Sequence, residues 1–297
     1  MFKSVANTNH IICNYRDNDL HRNYFFQFIS KVFPSISFVE WYEKGFWTEN
    51  FIPFSIIDSN KIIASASVSL MDILINGKQH KAAQIGAVGT LPEFRKQGLS
   101  RQLMNHIIEV YKEKVDFFFL YANDSVLDFY PKFGFKSIKE NIFIAEIEKR
   151  NHKSHARKLD ITNSDDYSLL LNLINNRLPI TKLFGAEKYD FVTMWHILNI
   201  YRDNLYFLEE ENAVIIKEEK NDTLHIYEVI HTIQFDLQSA LPKIVESDSI
   251  KTVQYYFPPD QLKYEYSKVI DEDTKLFMLG NVDLREKTFR FPTTAVT

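Results

Sequence analysis

A chain of 297 residues is long for one compact unit and comfortable for two, and 45% hydrophobic with 25% charged residues is the make-up of a folded protein, not of a disordered or fibrous one. A net charge of -4 gives no general attraction to nucleic acid or an anionic membrane surface, and a lone Cys13 excludes an internal disulfide and suits a reducing compartment. The opening MFKSVANTNH has no apolar signal core and no segment approaches the run of about 18 apolar residues that spans a bilayer, so a cytoplasmic protein is expected.

In chain order, an apolar strand around Ile11 to Asn14 precedes a helical pattern in which Leu20, Tyr24, Phe28 and Val32 recur, closed by Pro34. A short helix is predicted from Phe38 to Lys44. The run PFSIIDSNKIIASASVSL then reads as two strands joined by the turn formers Asp58 to Asn60. The second strand continues to Asn76 and Gly77, the strongest short hairpin signal, and the chain returns as HKAAQIGAV. A Gly-bearing loop, TLPEFRKQG, leads into an amphipathic helix with Leu99, Leu103, Ile107 and Val110 on one stripe. A strand over Phe117 to Tyr121, a helix over Ser125 to Lys132 ending before Gly134, and strands from Phe135 to Glu148 complete the first unit.

The basic, apolar-poor segment KRNHKSHARK reads as a connection. Beyond it the same order of elements returns: a strand at Lys158 to Ile161, helices after Ser164 and over Tyr189 to Tyr201, and strands at LYFLEE, AVIIKEE and Thr223 to Ile230. A helix over Gln234 to Val245, a strand from Thr252 to Phe257, a helix near Gln261 and a strand from Lys275 to Leu279 follow. The repetition of element order, with little sequence identity, points to a duplicated fold.

Chemistry is concentrated in VGTLPEFRKQGLSR, between a strand end and a helix start. A helix N-terminus presents unpaired N–H groups and the positive end of its dipole, Gly98 lets backbone approach a phosphate, and Arg95 and Lys96 add cations. Arg95, Gly98 and Ser100 resemble the Q/R-x-x-G-x-G/A motif of the GNAT superfamily of N-acetyltransferases, with Ser100 in place of the usual small final residue. The later segment NDSVLDFYPKFGF resembles the second signature of that family, with Asn123, Tyr130, Gly134 and Phe135 in matching positions.

The resemblance implies an α/β (α+β) fold class: a catalytic acyl-CoA-binding domain over residues 1–150 and a degenerate copy without phosphate loop over 157–297. Each would be a mixed, mainly antiparallel sheet flanked by helices. It implies that Val88, Gly89 and Thr90 line a splay that takes the pantetheine arm of acetyl-CoA. Arg95, Lys96, Gln97, Gly98, Leu99, Ser100 and Arg101 would wrap the pyrophosphate, and Asn123 would anchor the arm from the other wall; without the family match, Asn123 reads as an Asx turn. Tyr130 would donate a proton to the departing thiolate, and an N–H near Val88 would hold the oxyanion. The residues themselves allow Tyr130 a packing role beside Phe129 and Phe133. The base stays open, with Glu40, Glu43, Asp72 and His80 as candidates that also read as surface residues, and no metal is expected.

The phosphate loop and the long hairpin before it also resemble the enhanced-intracellular-survival family, whose second domain is GNAT-like. Because the chain ends soon after its second unit, the sterol-carrier-like domain, aminoglycoside acetylation and catalysis by a C-terminal carboxylate are not expected to carry over. HTIQFDLQSAL, where a second phosphate loop would stand, has neither Gly nor basic residues, so the second half is expected to shape the acceptor pocket or a homodimer surface. The expected activity is acetyl transfer from acetyl-CoA to a primary amine of a small molecule or peptide, with no nucleic-acid or membrane partner. A noncatalytic acyl-CoA sensor and an interaction protein are the alternatives.

Overall fold

The computed structural model describes residues 10–147, 155–234, 236–260, 266–280, 282, 284 and 288–297. In the first half, strand β1 (Ile11–Cys13), helices α1 (Asp19–Val32) and α2 (Val39–Glu43), and strands β2 (Phe51–Asp58), β3 (Lys61–Ile75) and β4 (Lys78–Thr90) lead to helix α3 (Leu99–Tyr111), β5 (Phe117–Tyr121), β6 (Lys136–Ser137) and β7 (Glu140–Glu146). The second half holds β8 (Arg157–Lys158), α4 (Ser164–Asn175), β9 (Phe184–Glu187), α5 (Asp190–Asn199), β10 (Leu205–Leu208), β11 (Ala213–Lys220), β12 (Thr223–His231), α6 (Leu237–Ile244), β13 (Thr252–Tyr255), β14 (Ser267–Asp271) and β15 (Leu276–Gly280).

Two sheets result, with the same plan. One runs β1-β2-β3-β4-β5-β15-β6, with β9 added to the far end of β3; the other runs β8-β10-β11-β12-β13-β7-β14. In each, the fourth and fifth strands are parallel, β4 with β5 and β12 with β13, and the other pairs are antiparallel. The fold class is therefore the expected one, two mixed, mainly antiparallel sheets flanked by helices.

The halves exchange strands. β7 leaves the first half to pair with β13, and β15 leaves the second half to fill the place between β5 and β6. The sheets thus do not divide at residues 150–157. Only Ile138 and Lys139 separate β6 from β7, and neither is a residue that favours the left-handed conformation a tight hairpin needs, so the chain crosses over. The two crossing segments clasp each other: Lys139 Nζ meets Glu272 Oε2 at 2.9 Å, and Thr274 donates to Glu140 at 2.6 Å. Buried Glu140 also accepts from Tyr121 Oη and from Phe291 N–H, which satisfies a carboxylate that would otherwise be costly to enclose.

Other departures have local causes. The helix predicted over Ser125 to Lys132 is instead two 3-10 turns, Asp124–Val126 and Tyr130–Phe133. Pro131 has no N–H to give to an α-helical bond, and the Asn123 side chain competes for the backbone at the start. On α1 the core face is Phe25, Phe28 and Ile29, while Leu20 is exposed. The strand expected to reach Ile161 stops at Lys158, because Asp160 accepts from Thr162 N–H and turns the chain toward α4. Strands β9 and β14 were not expected, and the helix near Gln261 lies outside the described residues.

The larger core gathers α1 to α5 and both faces of the first sheet, and it includes Leu205, Val214, Ile216 and Ile230 from the second sheet. A smaller core lies between the second sheet and α6, around Leu237, Ala240, Leu241 and Ile244. One face of the second sheet thus packs through α4 and α5 onto the first half, which brings α5 to the site described next.

Candidate active site

After β4 ends at Thr90 the chain makes a 3-10 turn, Pro92–Phe94, and then exposes Arg95, Lys96, Gln97 and Gly98 before Leu99 plunges into the core. Lys96 (φ 64°) and Gly98 (φ 81°) are both left-handed, which folds this stretch over the end of α3. Arg95 Nε donates to Thr90 O at 3.3 Å, and Thr90 Oγ1 lies 2.9 Å from Ser100 Oγ, tying the loop to both elements. No side chain caps α3, its first turn holds no acid, and a methyl group built on Gly98 would meet nothing within 4 Å. The first-turn amides therefore have no side-chain cap, and Arg95, Lys96 and Arg101 in the same stretch of chain are exposed.

Beside this loop β4 and β5 separate. They are paired only from Ala82–Phe117 to Gln84–Phe119, although both strands run further. On the other edge of β4, Ser65 pairs with Gly89 and Ser67 with Gly86, so Ala87 and Val88 stand together opposite Ala66 in a β-bulge, with Ala87 at φ 48°. Gly89 packs against α1, where an added Cβ would come within 2.7 Å of Val32 Cγ1. Val88, Gly89 and Thr90 thus form one wall at the open end of the splay. A bulge there takes backbone N–H groups out of the ladder with β3, which is how a strand can aim donors at a ligand.

Asn123 and Tyr130 follow β5, the strand on the other side of the splay. Asn123 Oδ1 accepts from Ser125 N at 3.0 Å and Ser125 Oγ at 2.5 Å, an Asx turn. Tyr130 packs among Phe129, Phe135 and Phe277, and burial pushes its phenol up to about 12, so it stays protonated at neutral pH. The candidate bases are placed elsewhere. Asp72 pairs with Lys188, and His80 sits 3.6 Å from Asp116, both on the hairpin end of β3 and β4. Ala87 lies seven steps along the strand from His80, about 23 Å. Glu40 is held at 2.5 Å by Arg202, and Glu43 is exposed.

The sequence reading missed a cavity of about 140 Å³ that reaches Ala87 of the bulge. Its walls come from four places far apart in the chain, among them Phe33 after α1, Trp41 on α2, Ser67 on β3 and Trp195 on α5. No single segment carries a signal for it. A larger cleft of about 450 Å³ beside His80, Lys112 and Asp116 opens at the start of β5, the opposite end from the bulge, and has no part in this site. Among the described residues no group of three or more His, Cys, Asp or Glu could hold a metal ion, and no helix is long and apolar enough to cross a membrane.

Residues 22–138 match the family model for the acetyltransferase (GNAT) domain. Residues 22–138 thus carry a GNAT domain. No curated protein matches the sequence. Among solved structures, the chain resembles a conserved protein of unknown function from Enterococcus faecalis V583, described as a probable N-acyltransferase, at 13% identity and TM-score 0.61, covering 91% of this chain and 71% of that one. A GCN5-related N-acetyltransferase from Anabaena variabilis aligns at 16% identity and TM-score 0.54, covering 91% and 72%. Another from Kribbella flavida aligns at 13% and TM-score 0.52, covering 91% and 71%. At such identities the likeness is one of fold, and it extends over both halves. The GNAT domain places the chain among the acyltransferases.

In the second half the element corresponding to α3 is α6, and its N-terminus differs. Asp236 turns its own carboxylate onto Gln238 N at 3.1 Å and Ser239 N at 3.3 Å. The position that α3 leaves open is filled by a fixed negative charge.

Proposed function

We propose that the GNAT domain transfers an acetyl group from acetyl-CoA to a primary amine of a small molecule or peptide. The observation that carries this reading is the uncapped N-terminus of α3, with exposed Arg95, Lys96 and Arg101 beside it in sequence, following a strand that parts from β5. The exposed loop from Arg95 to Gly98, with the first-turn amides of Leu99, Ser100 and Arg101, would hold the pyrophosphate through main-chain donors. The edge of β4 at Val88 to Thr90 would bind the pantetheine amides in place of strand partners, and Asn123 would close the other wall.

The chemistry then needs three things from the chain. The bulge at Ala87 and Val88 supplies an N–H for the oxyanion as the amine adds to the thioester carbonyl. Tyr130, protonated throughout the neutral range, donates to the sulfur as the C–S bond breaks. The amine loses its proton to solvent or to a water held near the bulge, because Glu40 and Asp72 lie in other ion pairs and Glu43 is exposed. The second half serves as a wall of the acceptor pocket through α5, which we favour over a role as a dimer surface. A cytoplasmic location remains our proposal, supported by the exposed free Cys13.

Calorimetry with acetyl-CoA, followed by thiol release in the presence of a panel of amines, tests the whole scheme. Binding at one equivalent with amine-dependent release is expected. A chain that binds no coenzyme A removes it.

A further inference from the structure

Resting on the transferase reading above, the cavity at the bulge specifies the acceptor: we infer that the amine carries one compact apolar group, an aryl ring or a branched alkyl chain, and no second charge near it. The cavity lies on the side of β4 faced by α1, α2 and α5, reached from Ala87, so a group seated there sits beside the bulge. None of its lining side chains is charged. Its polar wall groups are mostly committed within the protein. Trp41 Nε1 donates to Phe191 O at 2.6 Å, Trp195 Nε1 to Ser37 O at 3.1 Å, and Ser67 Oγ to Gly86 O at 3.0 Å.

A volume of about 140 Å³ matches apolar cavities of ~150 Å³ that accept a benzene ring. The polar end of this space is at the bulge. Thr297 Oγ1 is buried without a partner there, against Gly86, and the neighbouring Gln84, fully buried and bonded through Nε2 to Thr297 O at 3.3 Å, has an unpartnered Oε1. Two unpaired oxygen acceptors beside an apolar cavity suit the N–H groups of an amine whose substituent fills the cavity. An amino sugar would instead bury hydroxyls against aromatic rings, and a diamine would take a second ammonium out of water into a space with no charged side chain.

Steady-state thiol release from acetyl-CoA with ethylamine, isobutylamine, phenethylamine, 1,5-diaminopentane and glucosamine is the test. The kcat/KM for phenethylamine should exceed that for ethylamine by on the order of tenfold or more, the gain from removing a ring from water. Val192→Phe, at a lining residue of α5, fills the cavity and should lower kcat/KM for phenethylamine relative to that for ethylamine on the order of tenfold. Trp195→Ala, which widens it, should shift preference toward naphthylmethylamine. Better use of the diamine or the amino sugar overturns the inference and leaves the transferase reading standing. So does a Val192→Phe enzyme whose discrimination changes among acyl-CoA chain lengths and not among amines, since the cavity would then hold the donor's acyl group. Release of thiol with no amine at all sinks both.

Discussion

Gly98 and Asp236 occupy the same place in the two halves, each immediately before the helix that follows the fourth strand of its sheet, and they treat the helix N-terminus in opposite ways. Gly98 leaves the amides of α3 open; Asp236 closes those of α6 with its carboxylate. On the transferase reading, one acyl-CoA site per chain is therefore expected. Calorimetry should give a single equivalent, and Gly98→Glu, which projects a carboxylate into the anion site, should weaken coenzyme A by at least about tenfold. Gly98→Ala should cost only about 1 kcal/mol of stability, for a Cβ in the left-handed region. Asp236→Ala should cost about 1 kcal/mol for the lost cap and create no second equivalent.

Tyr130→Phe removes the proposed acid while keeping the ring among Phe129, Phe135 and Phe277. Turnover should fall on the order of 10²-fold with acetyl-CoA affinity unchanged. The phenol is pushed up to about 12, so between pH 7 and 10 it remains protonated in the folded enzyme. A pH–rate profile of the wild type should therefore show no alkaline decline from this group below about pH 10. Equal turnover of the Phe variant with a good acceptor would reduce Tyr130 to packing.

His196 gives the fold an acid sensitivity. Its Nε2 lies 2.5 Å from Val296 O, which can only accept, so the neutral ring carries its proton there, and burial pulls its pKa down from 6.5 to about 4. Protonation is easier in the unfolded chain, so the stabilisation is fully present above pH 6.5 and is lost as pH falls toward 4. The loss should reach roughly 3 kcal/mol. Urea midpoints measured from pH 7 to pH 4 should drop accordingly, and His196→Gln should flatten that dependence.

The exchanged strand β15 ends at Gly280, where φ is 140° and a Cβ would lie 2.6 Å from Asp116 O and 2.7 Å from Phe117 Cβ. Gly280→Ala should push β15 from β5 and cost about 2 to 3 kcal/mol, read as a lowered melting temperature. By the same pairing, residues 1–150 expressed alone should lack native circular dichroism in the aromatic region and regain it on co-expression with 151–297. A stable, folded 1–150 fragment would show that β15 is dispensable.

Local signals carried the sequence reading a long way. Alternation and the turn residues at Asp58 to Asn60 and Asn76–Gly77 place β2, β3 and β4, and the Leu99, Leu103, Ile107 stripe places α3. The left-handed, uncapped start of α3 was legible because its parts are contiguous. The exchange of β7 and β15 was not, because each strand has an ordinary apolar pattern and its partner is chosen by contacts more than a hundred residues away. The apolar cavity was hidden for the same reason: Phe33, Ser67 and Trp195 read separately as core or surface. The false helix over Ser125 to Lys132 came from weighting apolar spacing above Pro131 and the Asn123 side chain.

The placement of β15 also bears on synthesis. The run Phe117 to Tyr121 leaves the ribosome well before residues 276–280 exist, and at ~5–20 residues per second the wait is roughly 8–30 s. Through that interval a strongly aromatic strand has one edge without its final partner, the situation in which nascent chains recruit chaperones. Ribosome profiling of chaperone occupancy should find engagement beginning after residue 121 emerges.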